Sequence, residues 1–90
     1  MKKRTRYDIV AEILEALRCL GPCSITKVSY RVGAPVDRVR SILKQMVKSG
    51  FVIEKEFRGK RAYIITKLGY DYLSAYRKLK AFMELLDSTE

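Results

Sequence analysis

The chain has no histidine, no asparagine and a single glutamine, Gln45, among its 90 residues. Without histidine it lacks the commonest acid/base group and metal ligand, which removes most hydrolase and metalloenzyme chemistries. Its two cysteines, Cys19 and Cys23, flank Gly21-Pro22 in a C-x3-C spacing. No second pair exists to complete four ligands, so neither a metal nor a cofactor is expected. Cysteine without histidine, beside a few scattered carboxylates, makes no catalytic constellation, and the chain is expected not to be an enzyme. Buried small thiols are the default for such cysteines, and a disulfide across the turn or between chains is the alternative. No apolar run approaches the ~20 residues of a membrane span. The basic start, Met1-Lys2-Lys3-Arg4-Thr5-Arg6, leads into an amphipathic segment and not into a signal-peptide core. What remains is a small, basic, cytoplasmic domain with no evident small-molecule ligand. Scarce amides beside 32% charged residues is also a thermophile-like bias.

Lysine and arginine number 19 against 10 acidic residues, for a net charge of +9. Apolar residues reach 48%, enough for a folded core. The charge is uneven. Residues 1–26 carry +2, residues 27–67 carry +8 and residues 68–90 carry −1. A middle segment this basic faces a polyanion, and the nearly neutral tail has another job.

Helical spacing of Ile9, Val10, Ile13, Leu14, Leu17 and Leu20 predicts a first helix, capped by Thr5 and stopped by Gly21-Pro22. Ser24 caps a second, short helix in which Ile25, Val28 and Val32 face inward and Lys27, Tyr30 and Arg31 outward. Gly33 supplies a tight turn. Pro35 suits the first position of a third helix, with Val36, Val39, Leu43, Met46 and Val47 as its buried stripe. Gly50 ends it. The period then changes to that of strands: residues 51–57 and 61–65 read as a hairpin around the turn Arg58-Gly59-Lys60. Thr66 caps a final helix to about Asp87. The expected fold is mostly α with a small β-hairpin: a winged helix-turn-helix in the order helix, helix, helix, hairpin, helix. Residues 1–66 form the DNA-binding domain and residues 67–90 a continuous C-terminal dimerisation helix.

The third helix carries Asp37, Arg38, Arg40, Ser41, Lys44, Gln45 and Lys48 on its outer face. Arginine matches guanine edges and glutamine adenine, and serine is tolerant, so Arg38 and Ser41 near the helix start are base-edge candidates. Lys44 and Lys48 lie further along and suit phosphates. Arg58, Lys60 and Arg61 make a basic wing for the backbone or the minor groove. With Arg40, Gln45, Lys27, Tyr30 and Arg31 these form the candidate contact set for double-stranded DNA. Lys2, Lys3, Arg4 and Arg6 read as a frayed tail, with a minor-groove arm as the alternative.

Tyr72, Tyr76, Leu79, Met83 and Leu86 step by 4, 3, 4 and 3, a heptad seam. A helix this long overhangs its domain, and the economical cover for its far stripe is a second copy in a two-fold homodimer. Leu68 and Leu73 are expected to pack back on the domain.

Three segments together resemble the small archaeal winged-helix proteins of the Sulfolobus 10a nucleoid type. They are Thr26-Lys27-Val28-Ser29-Tyr30-Arg31, the Leu43…Met46-Val47…Gly50-Phe51-Val52 step, and the run from Tyr63-Ile64-Ile65-Thr66 through Gly69 to Leu73. The likeness runs through essentially the whole chain. It implies a nucleoid-associated DNA-binding dimer joined by an antiparallel coiled coil of C-terminal helices, as a transcriptional regulator or an architectural protein. The alternative is a protein-interaction module docking onto a transcription complex.

Overall fold

The computed structural model describes residues 4–89, so Lys2 and Lys3 of the basic start and the terminal Glu90 lie outside the described residues. The elements follow in the expected order: α1 (Arg6–Leu20), α2 (Ile25–Val32), α3 (Val36–Ser49), β1 (Val52–Phe57), β2 (Lys60–Ile65) and α4 (Lys67–Ser88). This is a winged helix with a long C-terminal helix.

Three helices begin at a hydroxyl that replaces a missing intrahelical acceptor. Thr5 accepts from the Asp8 N–H at 3.1 Å while the Asp8 carboxylate accepts from the Thr5 N–H at 2.7 Å, a closed capping box. Ser24 accepts from the Lys27 N–H at 3.3 Å, and Thr66 from the Gly69 N–H at 3.1 Å. The Thr66 hydroxyl also donates to the Gly50 carbonyl at 2.6 Å, tying the end of α3 to the start of α4. α3 departs from this pattern. Pro35 sits at its N-cap and not at the expected first helical position, because its ψ of 144° is extended.

The core gathers Ile9, Ile13, Leu14 and Leu17 of α1, Val28 of α2, Val39 and Leu43 of α3, and Val52 of β1. Each such side chain contributes about 1.5–3 kcal/mol by leaving water. Ile42 is buried as well and widens the α3 stripe beyond its expected members, while Val36 and Val47 lie at its edge. Leu20 is exposed, because Gly21 turns the chain away directly after it. Leu68 is about half exposed, with its Cδ2 lying over Gly50, whereas Leu73 is buried as expected. The two thiols are free and unlike: Cys23 is buried, but Cys19 lies exposed at the end of α1. Cys23 pairs through its backbone with Tyr63, adding a one-residue third strand to the sheet.

The hairpin is antiparallel and pairs Val52 with Ile65 and Phe57 with Lys60. Its turn has two residues, Arg58 (φ 53°) and Gly59 (φ 75°), in place of the expected three. Positive φ at both is the type I′ geometry that matches strand twist, so Lys60 joins the strand. Phe51 stays outside it, because its N–H is taken by the Met46 carbonyl at the end of α3, 2.9 Å away.

The first turns of α4 belong to the domain. Tyr72 meets Phe51 edge-on at 5.2 Å and donates its hydroxyl to the Tyr7 carbonyl at 3.0 Å. Tyr76 donates to the Asp8 carboxylate, and Arg77 pairs with Glu15. Gly69 lies so near the Phe51 carbonyl that a Cβ there would sit 2.3 Å from its oxygen. Beyond Lys80 every described residue of the helix is exposed, and the chain measures 54 × 26 × 21 Å along its principal axes. Among the described residues, no helix is long and apolar enough to cross a membrane.

Candidate nucleic-acid interface

At about 100° per residue, the exposed side of α3 resolves into a centre and two flanks. Val39, Ile42, Leu43 and Met46 point into the core. Opposite them, Asp37, Ser41, Lys44 and Lys48 form the centre line, with Arg38 and Gln45 on one flank and Arg40 on the other. All seven side chains are exposed. Arg38 is thus a flank residue, while Ser41 lies at the middle of the face. Arg40 holds Asp37 at 3.0 Å, a pair in which Asp37 is 97% exposed. Arg38, Lys44, Gln45 and Lys48 make no hydrogen bond or ion pair among the described residues, so their polar groups are available to a partner.

Lys27, Tyr30 and Arg31 lie exposed on α2, and the Tyr30 side chain is 90% exposed with no polar partner among the described residues. On the wing, Arg61 pairs with Glu54 at 2.8 Å, Arg58 lies over the Phe57 ring at 5.6 Å, and Lys60 has no polar side-chain partner among the described residues. The candidate residues therefore occupy three exposed surfaces on α2, α3 and the hairpin tip. Two of the arginines, Arg40 and Arg61, are each paired with a carboxylate.

Arg4 has a different role from the expected frayed tail. Its guanidinium donates to the Val32 carbonyl at 2.8 Å and the Gly33 carbonyl at 3.3 Å, and pairs with Glu12 at 2.7 Å. These carbonyls end α2, where the helix dipole is negative and acceptors lack intrahelical partners. Arg4 thereby braces the turn that leads into α3. On the far side, Ser29 donates its buried hydroxyl to the Ala34 carbonyl, so the turn is held from both directions. Arg6 is the first residue of α1 and borders a hollow of about 330 Å³ that also touches Gln45 and Tyr72.

The heptad stripe of α4 divides in two. Tyr72 and Tyr76 are spent on their own domain through the contacts above. Leu79, Met83 and Leu86 continue the stripe into solvent, joined by Phe82 and Leu85, which the heptad count passed over. Leu79 is 57% and Leu86 75% exposed. Phe57 was also missed. It ends the first strand segment of the hairpin and is 63% exposed at the wing tip. Among the described residues no cluster of three or more cysteine, aspartate or glutamate side chains is suited to a metal ion.

No curated protein matches the chain. Among solved structures it is similar to Sso10a-2, a DNA-binding protein from Sulfolobus solfataricus. The TM-score is 0.82 and the identity 28%, over 96% of this chain and 87% of that one. It shares its fold with MepR, a transcription regulator of the Staphylococcus aureus multidrug efflux pump MepA. There the TM-score is 0.76 and the identity 11%, over 92% of this chain and 65% of that one. Human N-acetylserotonin methyltransferase contains the same fold at TM-score 0.67 and 23% identity, over 76% of this chain but 20% of that one. This chain spans less than two thirds of those two longer proteins. The family model described as winged helix-turn-helix matches residues 3–84, and the chain belongs to the winged helix-turn-helix family.

Proposed function

We propose that the protein is a homodimeric DNA-binding protein, a transcriptional regulator or architectural protein of the nucleoid, that acts by binding and not by catalysis. α3 enters the major groove with Ser41 and Arg38 toward base edges and Lys44 and Lys48 toward phosphates. The Arg58, Lys60 and Arg61 wing meets the backbone or the minor groove, and Lys27, Tyr30 and Arg31 flank the site. The observation that carries this reading is the set of unpaired cations on the outer face of α3 and at the wing tip, on a fold shared with Sso10a-2. Dimerisation is supported by the bare apolar end of α4, whose Leu79, Met83 and Leu86 would pack against a second copy. An amide-poor, charge-rich composition supports a thermophilic setting, and the similarity to Sso10a-2 of Sulfolobus solfataricus supports an archaeal one.

Titrating a labelled duplex by fluorescence anisotropy over a range of salt tests the mechanism. Some six phosphate contacts per protomer predict a log–log slope near −5 per protomer. A flat dependence would sink it and favour a module that docks on other proteins. Tighter binding to A-form RNA duplex would also count against it, because the deep, narrow major groove of RNA excludes a reading helix.

A further inference from the structure

Phe57 is a large aromatic side chain that the fold leaves in water. It closes the hairpin opposite Lys60, directly before the two-residue turn, and 63% of it is exposed. Side chains alternate across the sheet, so a strand residue shares its face with every second neighbour. Ile53, Lys55 and Phe57 share a face with Lys60, Ala62 and Ile64 of the partner strand. Glu54 and Glu56 lie on the other face, where Glu54 pairs with Arg61. Among the hairpin residues, Lys55 and Lys60 share the ring's face, Arg58 lies over it, and neither glutamate does either.

Arg58 holds a left-handed φ of 53°, a conformation that a side chain other than glycine seldom accepts, and its guanidinium lies over the Phe57 ring. A hollow of about 280 Å³ separates the wing tip from Pro22 and Ser24, bordered by Arg58, Lys60 and Arg61. It has the room and the charge for a phosphate beside the ring. Minor-groove proteins insert apolar side chains such as Phe between base pairs and kink the duplex, and an exposed ring on a cationic tip offers such a side chain.

We propose that Phe57 is a wedge that enters the minor groove at a deformable base step, so that the wing bends the DNA that α3 holds. This rests on the DNA-binding reading above. Base stacking supplies the cover that the protein does not give the ring, and Lys55, Arg58 and Lys60 hold the phosphates on either side. Pyrimidine–purine steps unstack most readily, so the wedge favours them without hydrogen-bonding to a base.

The test uses the full chain and a duplex of about 30 base pairs, labelled at both ends, with one central TA step in a G·C-rich frame. Binding of the parent protein should raise energy transfer between the ends, corresponding to a bend of about 20–90°. Phe57→Ala should bind within about tenfold of the parent and leave the duplex straight, whereas Phe57→Leu, which keeps an apolar wedge, should restore the bend. Circular dichroism of both variants checks folding, which an exposed tip residue leaves intact. A bend undiminished by Phe57→Ala overturns the proposal, as does a parent protein that binds and leaves the DNA straight. A parent that fails to bind the duplex at all overturns the DNA-binding reading with it.

Discussion

Tyr76 on α4 donates its hydroxyl to the carboxylate of Asp8, which also closes the capping box at the start of α1. One carboxylate thus anchors two helices through residues that are 68 positions apart in the chain. Tyr76→Phe deletes the donor and keeps the ring. The loss is expected to cost about 1–2 kcal/mol, read as a fall of several degrees in the thermal midpoint at fixed protein concentration. Burial and this bond push the tyrosine up to about 12 from its ordinary 10.0. The native state therefore holds the proton after the unfolded chain has lost it, and stability falls as pH rises from 10 towards 12. Tyr76→Phe should flatten that alkaline limb.

At low pH the sign reverses. The hydrogen bond from Arg18, with the nearby Arg77 charge, holds Glu15 at about 2 against an ordinary 4.5. The Tyr76 hydroxyl and the Thr5 N–H lower Asp8 in the same direction. Both contributions are complete above the ordinary carboxylate range and are lost as pH falls through it towards 2. A pH series of thermal melts should show this decline, with a shallower one for Glu15→Gln.

Asp37 is the one carboxylate on the centre line of the proposed reading face, and it occupies Arg40. Asp37→Asn removes a charge that repels phosphate and frees the guanidinium. Affinity for unrelated duplexes should rise, and the salt slope should steepen by about 1, in anisotropy titrations of several sequences. An unchanged slope would mean that this end of α3 stays away from the backbone.

The bare end of α4 should carry self-association. Leu79→Lys combined with Met83→Lys is expected to convert a dimer to a monomer in sedimentation equilibrium while leaving the helical circular dichroism intact, since neither residue touches the core. Tyr76→Phe, by contrast, should lower stability and leave the dimer in place.

Element order was legible because each helix announces itself twice, by an apolar period and by a punctuating residue. Thr5, Ser24 and Thr66 cap as their spacing predicts, and Gly33 and Gly50 end α2 and α3 in the left-handed conformation. The seam on α4 was legible only in part. A step of three and four residues tells which side chains share a stripe and is silent on what covers them. Tyr72 and Tyr76 found cover on α1, while Leu79 onward did not. Arg4 was opaque for a related reason. A run of basic residues near a terminus reads as a tail, and nothing local reveals that the Val32 and Gly33 carbonyls lie within its reach. On α3, the outer face was evident from the period, but the central position of Ser41 and the lateral one of Arg38 emerged only with the full set of buried neighbours.

Gly69 gives the C-terminal helix more than a place to start. With the Phe51 carbonyl where a methyl group would need to be, the α4 backbone is seated directly on the strand entrance, and the Thr66 hydroxyl locks the same junction to the end of α3. The long helix is therefore a fixed lever and not a tethered arm. In a two-fold pair its direction at Gly69 would translate into the separation of the two reading helices, so this glycine would act as the ruler against which the spacing of DNA half-sites is measured.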